Sequence, residues 1–126
     1  GGELMTIDQF LEHCREHTPD LEDIVSKYHK YEYIMTSMMS SPQKQCTHYN
    51  PNEEHSFIFE VDDPLIRDDQ RVIFVATRKG VHVRDMYYNE DSNADLYDDH
   101  YMTHEDCFKY LEQLPKTWYH FTSELD

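Results

Sequence analysis

The stretch RVIFVATRKGVHVRDMYY, residues 71–88, carries the strongest secondary-structure signal in the chain. Two runs rich in β-branched and apolar residues, 71–77 and 81–88, flank the short turn Arg78-Lys79-Gly80. Glycine suits a turn because it adopts positive φ without steric cost. Apolar runs joined by such a turn are typical of a β-hairpin. We therefore predict two antiparallel strands here.

A third strand is predicted upstream of this hairpin, at 57–61. Phe57, Phe59 and Val61 alternate with Ile58 and Glu60, which is the period of a strand. The following Asp62-Asp63-Pro64 ends it, because proline cannot continue a ladder of hydrogen bonds. Sequential strands usually pair, so the sequence favours a three-stranded antiparallel meander.

Helices are predicted on both sides of these strands. Thr6 with Gln9 has the spacing of a capping box and opens a helix over 6–17. Thr18-Pro19 opens a second helix, which we expect to end near Ser40-Ser41-Pro42. Thr103 with Asp106 opens a third, and Pro115 stops it.

The remaining segments predict loops and an aromatic tail. Residues 42–55 and 89–102 are rich in polar and turn-forming side chains. The tail Thr117-Trp118-Tyr119-His120-Phe121 is either a fourth strand or an aromatic cover over the core. The predicted fold class is α+β, with two N-terminal helices, a three-stranded antiparallel sheet and a C-terminal helix. The tail adds a fourth strand to the sheet in one of its two interpretations.

Length and composition predict one small domain without a leader. The chain has 126 residues, and compact domains are commonest at about 100–150 residues. Gly1 to Leu4 are interpreted as a cloning remnant before Met5, which leaves 5–126 as the domain. No signal peptide or membrane-spanning run is visible. The odd count of 3 cysteines argues against a disulfide framework, so a cytoplasmic, reduced protein is expected.

The charge is strongly negative and unevenly distributed. With 26 acidic and 11 basic side chains the formal net charge is −15, which disfavours direct binding to nucleic acid. Residues 55–88 carry only −1, whereas 89–126 carry −8. One interpretation is an acidic surface that maintains solubility. The other is complementarity to a basic partner, in which carboxylates imitate phosphates and steer association.

The densest acidic run indicates where such a partner would bind. Tyrosine beside carboxylates attracts and stacks against Arg and Lys. The predicted partner-binding residues are Asp91, Asp95, Tyr97, Asp98, Asp99, Tyr101, Glu105 and Asp106.

The sequence does not predict a metal site. His100, His104 and Cys107 have helical spacing, but an N-cap at Thr103 places His100 outside the helix. Cys14 lies between His13 and His17, without any C-x-x-C or H-E-x-x-H motif. Asp91, Asn93 and Asp95 resemble the start of an EF-hand loop, but the required glycine and final glutamate are missing.

Catalytic motifs are also missing from the sequence. It contains no P-loop, no G-x-G-x-x-G and no G-x-S-x-G pattern. Glycine occurs only at positions 1, 2 and 80, so no glycine-rich phosphate loop is expected. We predict a non-enzymatic protein with no cofactor.

In size, acidity and lack of catalytic motifs, the chain resembles small phage-encoded inhibitors of the DNA-mimic anti-restriction and anti-CRISPR type. Its ending, Thr122-Ser123-Glu124-Leu125-Asp126, has the S-E-L-x close of some listerial anti-CRISPR proteins. The resemblance is one of composition and assigns no role to any residue. It implies an inhibitor of a basic nuclease or CRISPR effector that occupies the phosphate-binding surface. The alternatives are an immunity protein for a nuclease toxin, or a regulatory domain of unknown partner.

Salt is expected to stabilise this chain. A charge of −15 on a small domain repels itself, and about 0.1 M salt screens such repulsion beyond roughly 10 Å. We predict a higher melting temperature in 300 mM than in 20 mM NaCl, measured by circular dichroism. An unchanged or lower melting temperature would contradict significant self-repulsion.

Overall fold

A computed structural model describes residues 6–40 and 55–115 of the chain. Two helices, a short 3₁₀ helix, five strands and a last helix follow one another along the described chain. They are α1 (Ile7–His17), α2 (Pro19–Tyr28), the 3₁₀ helix (His29–Ile34), β1 (Met35–Ser40), β2 (Phe57–Val61), β3 (Gln70–Thr77), β4 (Gly80–Asn89), β5 (Ala94–Met102) and α3 (His104–Gln113). The predicted α+β class is confirmed.

The described strands form one antiparallel sheet in the order β1-β2-β3-β4-β5. The meander predicted from the sequence is therefore present, and its central hairpin pairs β3 with β4 from Gln70 and Tyr87 to Thr77 and Gly80. The predicted strand count of three is wrong, because the sheet has five. Both additional strands lie at its edges, one on each side of the predicted meander.

The first additional strand, β1, occupies a segment predicted to be helical. Helix α2 ends at Tyr28, and the 3₁₀ helix turns the chain into β1. The Asp62 amide then donates to the Ile34 carbonyl at 2.8 Å, joining this turn to the end of β2. The spacing of Met35, Met38 and Met39 is compatible with a helix and with a strand. Pairing with β2 makes this segment a strand.

The second additional strand, β5, occupies most of the segment predicted to be the acidic loop at 89–102. Strand β4 continues to Asn89, and a connection of four residues, 90–93, leads into β5. Asn93 adopts a φ of 53°, which asparagine tolerates better than most residues. Aspartate is depleted in strands, so the aspartates of β5 made a loop the expected structure for this segment.

The predicted helix starts agree with the structure. The Thr6 side chain accepts from the Gln9 amide at 3.1 Å, and Gln9 accepts in return from the Thr6 amide at 2.9 Å. Thr103 accepts from the Asp106 amide at 3.1 Å and opens α3. Pro19 stands at the start of α2, as expected, although the Thr18 side chain makes no capping bond.

The main core lies between the helices and one face of the sheet, here called the helix face. Phe59 and Phe74 stack there with ring centroids 5.1 Å apart. The buried residues come from all three helices, the 3₁₀ helix and β2 to β4: Ile7, Phe10, Leu11, Cys14, Leu21, Val25, Tyr28, Tyr31, Ile34, Phe57, Phe59, Val61, Phe74, Ala76, Val81, Val83, Cys107 and Leu111. Alternate strand residues therefore point toward the helices.

The opposite face of the sheet, here called the second face, holds a smaller apolar cluster. Its buried members are Met39, Ile58, Ile73 and Val75, with Met86 packed against them. Because β4 alternates, His82 and Arg84 also lie on the second face, opposite Val75 and Ile73. A buried arginine is thus placed beside an apolar cluster, and it needs a partner.

A part-buried hydrogen-bond chain joins the helices to the β3–β4 turn. The Nε2 atom of His104 lies 2.7 Å from the Thr77 carbonyl, which only accepts, so Nε2 carries the proton. The Nδ1 atom then accepts from the Tyr28 hydroxyl at 2.8 Å. Burial lowers the pKa of His104 and raises that of Tyr28, so both groups are neutral at pH 7.

Two predictions concern residues that the structure does not describe. The predicted loop at 42–55 falls there apart from His55, and so does the alternative last strand or cover at 117–121. Within 6–40 and 55–115, no helix has the length and apolar character to cross a membrane.

The His104 chain predicts a pH-dependent stability. The folded-state pKa lies below the reference value of 6.5, so the unfolded chain takes up the proton first. This stabilisation is complete above pH 6.5 and is lost as the pH falls through the folded-state pKa.

We expect His104→Phe to be less stable by about 1–3 kcal/mol at neutral pH, because two buried polar groups lose a partner. The difference in the free energy of unfolding between the wild type and His104→Phe should become smaller as the pH falls below 6.5. Urea unfolding of both proteins across this pH range measures that difference. A difference that stays constant with pH would show that His104 does not take up a proton when the protein unfolds.

Candidate functional site

The acidic residues singled out in the sequence lie on a long hairpin, here called the acidic hairpin (residues 85–102). It comprises the distal part of β4, the connection 90–93 and β5. The pairing runs without interruption from Val81 and Met102 to Asn89 and Ala94. The Ser92 amide donates to the Asn89 side-chain oxygen at 3.0 Å and closes the turn. Strand β5 lies at one end of the strand order.

The alternation of β5 divides the predicted residues between two faces. Asp95, Tyr97, Asp99 and Tyr101 lie on the second face, because they pair opposite Tyr88, Met86, Arg84 and His82. Asp98 lies on the helix face, Asp91 in the turn, and Glu105 and Asp106 in the first turn of α3. The eight predicted residues therefore do not form one continuous face.

A polar ladder links β4 and β5 on the second face. The Arg84 guanidinium binds both carboxylate oxygens of Asp99, through Nε at 2.9 Å and Nη2 at 2.8 Å. The same guanidinium lies 4.5 Å from the centroid of the Tyr97 ring. His82 and Tyr101, each two residues along its strand from this ion pair, have their rings edge to face with centroids 4.3 Å apart. These contacts connect charged and aromatic side chains across the strands.

Asp99 has a structural role that the sequence did not reveal. The Arg84 side chain is only 4% exposed, whereas that of Asp99 is 42% exposed. A buried guanidinium needs a paired anion, so the charge of Asp99 is already neutralised within the chain. Asp99 therefore contributes little to the outward negative field.

Asp98 has the opposite character. It is exposed on the helix face and stands directly opposite Asp85. Carboxylates at opposed positions repel each other, because their Cβ atoms are only about 4.5–5.5 Å apart. Gln70 donates to both Asp85 oxygens, at 2.8 and 3.0 Å, and so stabilises that charge. Asp98 is thus available for external contact at a cost to stability.

The first turn of α3 contributes two further exposed acids. Glu105 and Asp106 lie beside the N-terminus of α3, where the helix dipole favours negative charge. Glu105 forms an exposed pair with Lys109 at 3.4 Å. Such a pair is weak, so it leaves Glu105 able to rearrange toward a partner.

Three tyrosines of the hairpin are partly exposed: Tyr88 by 40%, Tyr97 by 51% and Tyr101 by 49%. Tyr88 was not among the predicted site residues, although its hydroxyl donates to the Asn93 side chain in the turn. The signal that could have revealed it is its place in the alternation of β4. Tyrosine is enriched at protein contact surfaces.

The ring of Tyr101 lies close to Gly80 at the β3–β4 turn. Gly80 adopts a φ of +151°, and a Cβ atom added there would lie 2.6 Å from the Tyr101 ring. Glycine is therefore needed at this position both for the backbone angle and for the space that the ring occupies. A side chain at position 80 would therefore displace the half-exposed ring.

A shallow depression of about 320 Å³ extends the acidic hairpin toward β3. Asp68, Asp69 and Asp95 line it together with Tyr87. The first two precede β3 and were not predicted as site residues, because they lie far from the acidic run in the sequence. Among the described residues, no group of three or more His, Cys, Asp or Glu side chains could hold a metal ion.

Comparisons with protein-family models, with curated proteins and with solved structures give no match to this chain. The geometry and charge of the acidic hairpin are therefore the basis on which a function is inferred below.

The neighbouring residues Asp98 and Asp99 are predicted to differ in stability. Asp99→Ala removes the bidentate partner of Arg84, and we expect a loss of about 1–3 kcal/mol in the free energy of unfolding. Asp98→Ala relieves repulsion with Asp85 and should change it by no more than about 0.5 kcal/mol. Urea unfolding compares the two variants. Equal losses would show that the Arg84 pair does not stabilise the fold.

Proposed function

We propose that this chain is a non-enzymatic acidic binding protein that inhibits a basic, nucleic-acid-handling protein such as a nuclease or CRISPR effector. In this proposal the acidic hairpin and the first turn of α3 occupy the phosphate-binding surface of the partner. Of the predicted residues, Asp91, Asp95, Asp98, Glu105 and Asp106 supply charge, Tyr97 and Tyr101 supply stacking surface, and Asp99 positions them through Arg84.

The observation that carries the proposal is the exposed side-chain pattern of β5. This nine-residue strand is exposed over most of its length. It presents Asp95 with Tyr97 and Tyr101 on the second face, and Asp98 on the helix face. Most of its side chains add little to either apolar cluster. A strand of this kind contributes little burial to stability, so its composition requires another explanation.

Protection of a sheet edge against aggregation explains part of that composition. Charges on an edge strand discourage pairing with other chains. Protection alone does not require half-exposed tyrosines, which present large apolar rings to solvent. The Arg84 guanidinium over Tyr97 already shows the kind of stacking that a partner's arginine would use. The combination favours recognition of a cationic surface.

The proposed mechanism is electrostatic attraction followed by local contact. A net charge of −15 attracts a basic protein from a distance and accelerates encounter, most strongly at low salt. Carboxylates then replace phosphates at the partner's Arg and Lys side chains, while the tyrosines supply buried area. Nucleic acid is excluded because its binding surface is covered.

A pair of charge-reversal variants tests the proposal. Asp91→Lys with Asp98→Lys alters the acidic hairpin while leaving the Arg84 pair intact. Asp8→Lys with Asp23→Lys on the helices is the matched control, since both double variants change the formal charge of −15 equally. Each chain is used as bait in a bacterial lysate, and captured proteins are identified by mass spectrometry. Affinity and inhibition of nucleic-acid cleavage are then measured with the purified partner.

We expect basic nucleic-acid-handling proteins on the wild-type chain and the control. The hairpin variant should bind at least about tenfold more weakly at low salt, because rim charges act mainly on association. Similar losses for both variants would mean that only net charge matters. No loss for either would contradict the proposal. A CRISPR effector as the partner would favour the phage inhibitor, and a nuclease toxin the immunity protein.

A further inference from the structure

A groove of about 400 Å³ lies between helix α3 and the segment that runs from the end of α2 into the 3₁₀ helix. Two aromatic side chains line it, Tyr31 and Phe108, whose rings are inclined by only 19° with centroids 6.0 Å apart. Phe108 is only partly buried, so its ring is accessible from the groove. A concave site of this volume with aromatic lining has the dimensions of a small-molecule site.

Three lysines also line this groove, here called the lysine groove. Its charged lining residues are Lys27, Lys30, Glu105, Lys109 and Glu112. Residues 6–40 and 55–115 contain only one further lysine, at position 79. The lining thus carries an excess of one positive charge, although the formal net charge of the chain is −15. Such a local excess favours an anion at this place on an otherwise acidic protein.

The lysines of the groove are held only weakly by their present partners. The Nζ atom of Lys30 lies 3.2 Å from the Glu112 carboxylate, and that of Lys109 lies 3.4 Å from the Glu105 carboxylate. Exposed pairs of this kind contribute about 0–1 kcal/mol, so the ammonium groups can turn toward a ligand. Glu112 also accepts from the Tyr31 hydroxyl at 2.8 Å, and it keeps this partner when Lys30 turns away.

We propose that the lysine groove binds a small organic anion in which an aromatic ring carries a single carboxylate. The ring packs against Phe108 and Tyr31, and the carboxylate binds the ammonium groups of the lysines. The groove already combines these two kinds of contact, because the Nζ atom of Lys30 lies 5.1 Å from the centroid of the Tyr31 ring. This binding is independent of the acidic hairpin and of the function proposed for it.

The single charge of the ligand follows from the charge of the whole chain. The field of a protein with a net charge of −15 repels an anion in proportion to the charge that the anion carries. The three lysines offset this repulsion locally, but a polyphosphate would meet more of it than a carboxylate does. Burial of an aromatic ring supplies affinity that does not depend on charge. A ring with one carboxylate therefore matches the groove better than a polyanion.

Nuclear magnetic resonance of the ¹⁵N-labelled full chain at pH 7, titrated with 2-naphthoate as the probe, tests the proposal. We expect one binding site with a dissociation constant of about 0.1–1 mM, as is usual for a ligand of this size. The shifted amide signals should be those of residues 26–31 and 105–112. The neutral 2-naphthamide and the ringless acetate should each bind at least about fivefold more weakly, because each lacks one of the two contacts.

Lysine variants locate the carboxylate. Lys27→Gln and Lys109→Gln each remove one charge from the exposed rim and leave the aromatic lining in place, so the fold is expected to persist. We expect each to weaken binding of 2-naphthoate about two- to fivefold, as loss of an exposed ion pair does. Lys79→Gln is the matched control, since it changes the net charge equally but lies in the β3–β4 turn, outside the groove.

The alternative is that these lysines only balance acidic side chains on the helix surfaces. In that case 2-naphthoate should bind no better than 2-naphthamide. Absence of binding, equal affinity for these two probes, shifts confined to other residues, or equal weakening by Lys27→Gln, Lys109→Gln and Lys79→Gln would each overturn the proposal.

Discussion

The ion pair between Arg84 and Asp99 is the interaction on which the acidic hairpin depends. Strand β5 has no regular apolar face, so burial alone cannot fix its register against β4. A shift by one residue would turn the Asp99 side chain to the other face and leave a buried guanidinium without this partner. The pair therefore determines which acids of β5 face outward.

The fold could be predicted where local chemistry and tertiary packing agree. The capping pairs at Thr6 and Thr103 and the β3–β4 hairpin at Gly80 are local signals, and all three are confirmed. The two strands at the sheet edges were missed because their composition favours other structures. Met35–Ser40 has methionines that suit a helix, and Ala94–Met102 has aspartates that suit a loop. Only pairing with a neighbouring strand makes them extended.

The arrangement of the candidate site could not be predicted from the sequence. The acidic run is visible in the sequence as one segment, but alternation along β5 separates Asp98 from Asp95 and Asp99. The sequence could not show that Asp99 is paired, because Arg84 lies fifteen positions away. Likewise, the place of Asp68 and the lysine groove depend on turns between elements, which no local pattern encodes.

The contact between Gly80 and Tyr101 links a turn to the proposed recognition surface. A methyl group at position 80 would collide with the ring, and the φ of +151° would strain its backbone even if the ring were absent. The turn therefore requires glycine whatever residue stands at position 101. Evolution can change the recognition surface at position 101, but the turn that supports it stays the same.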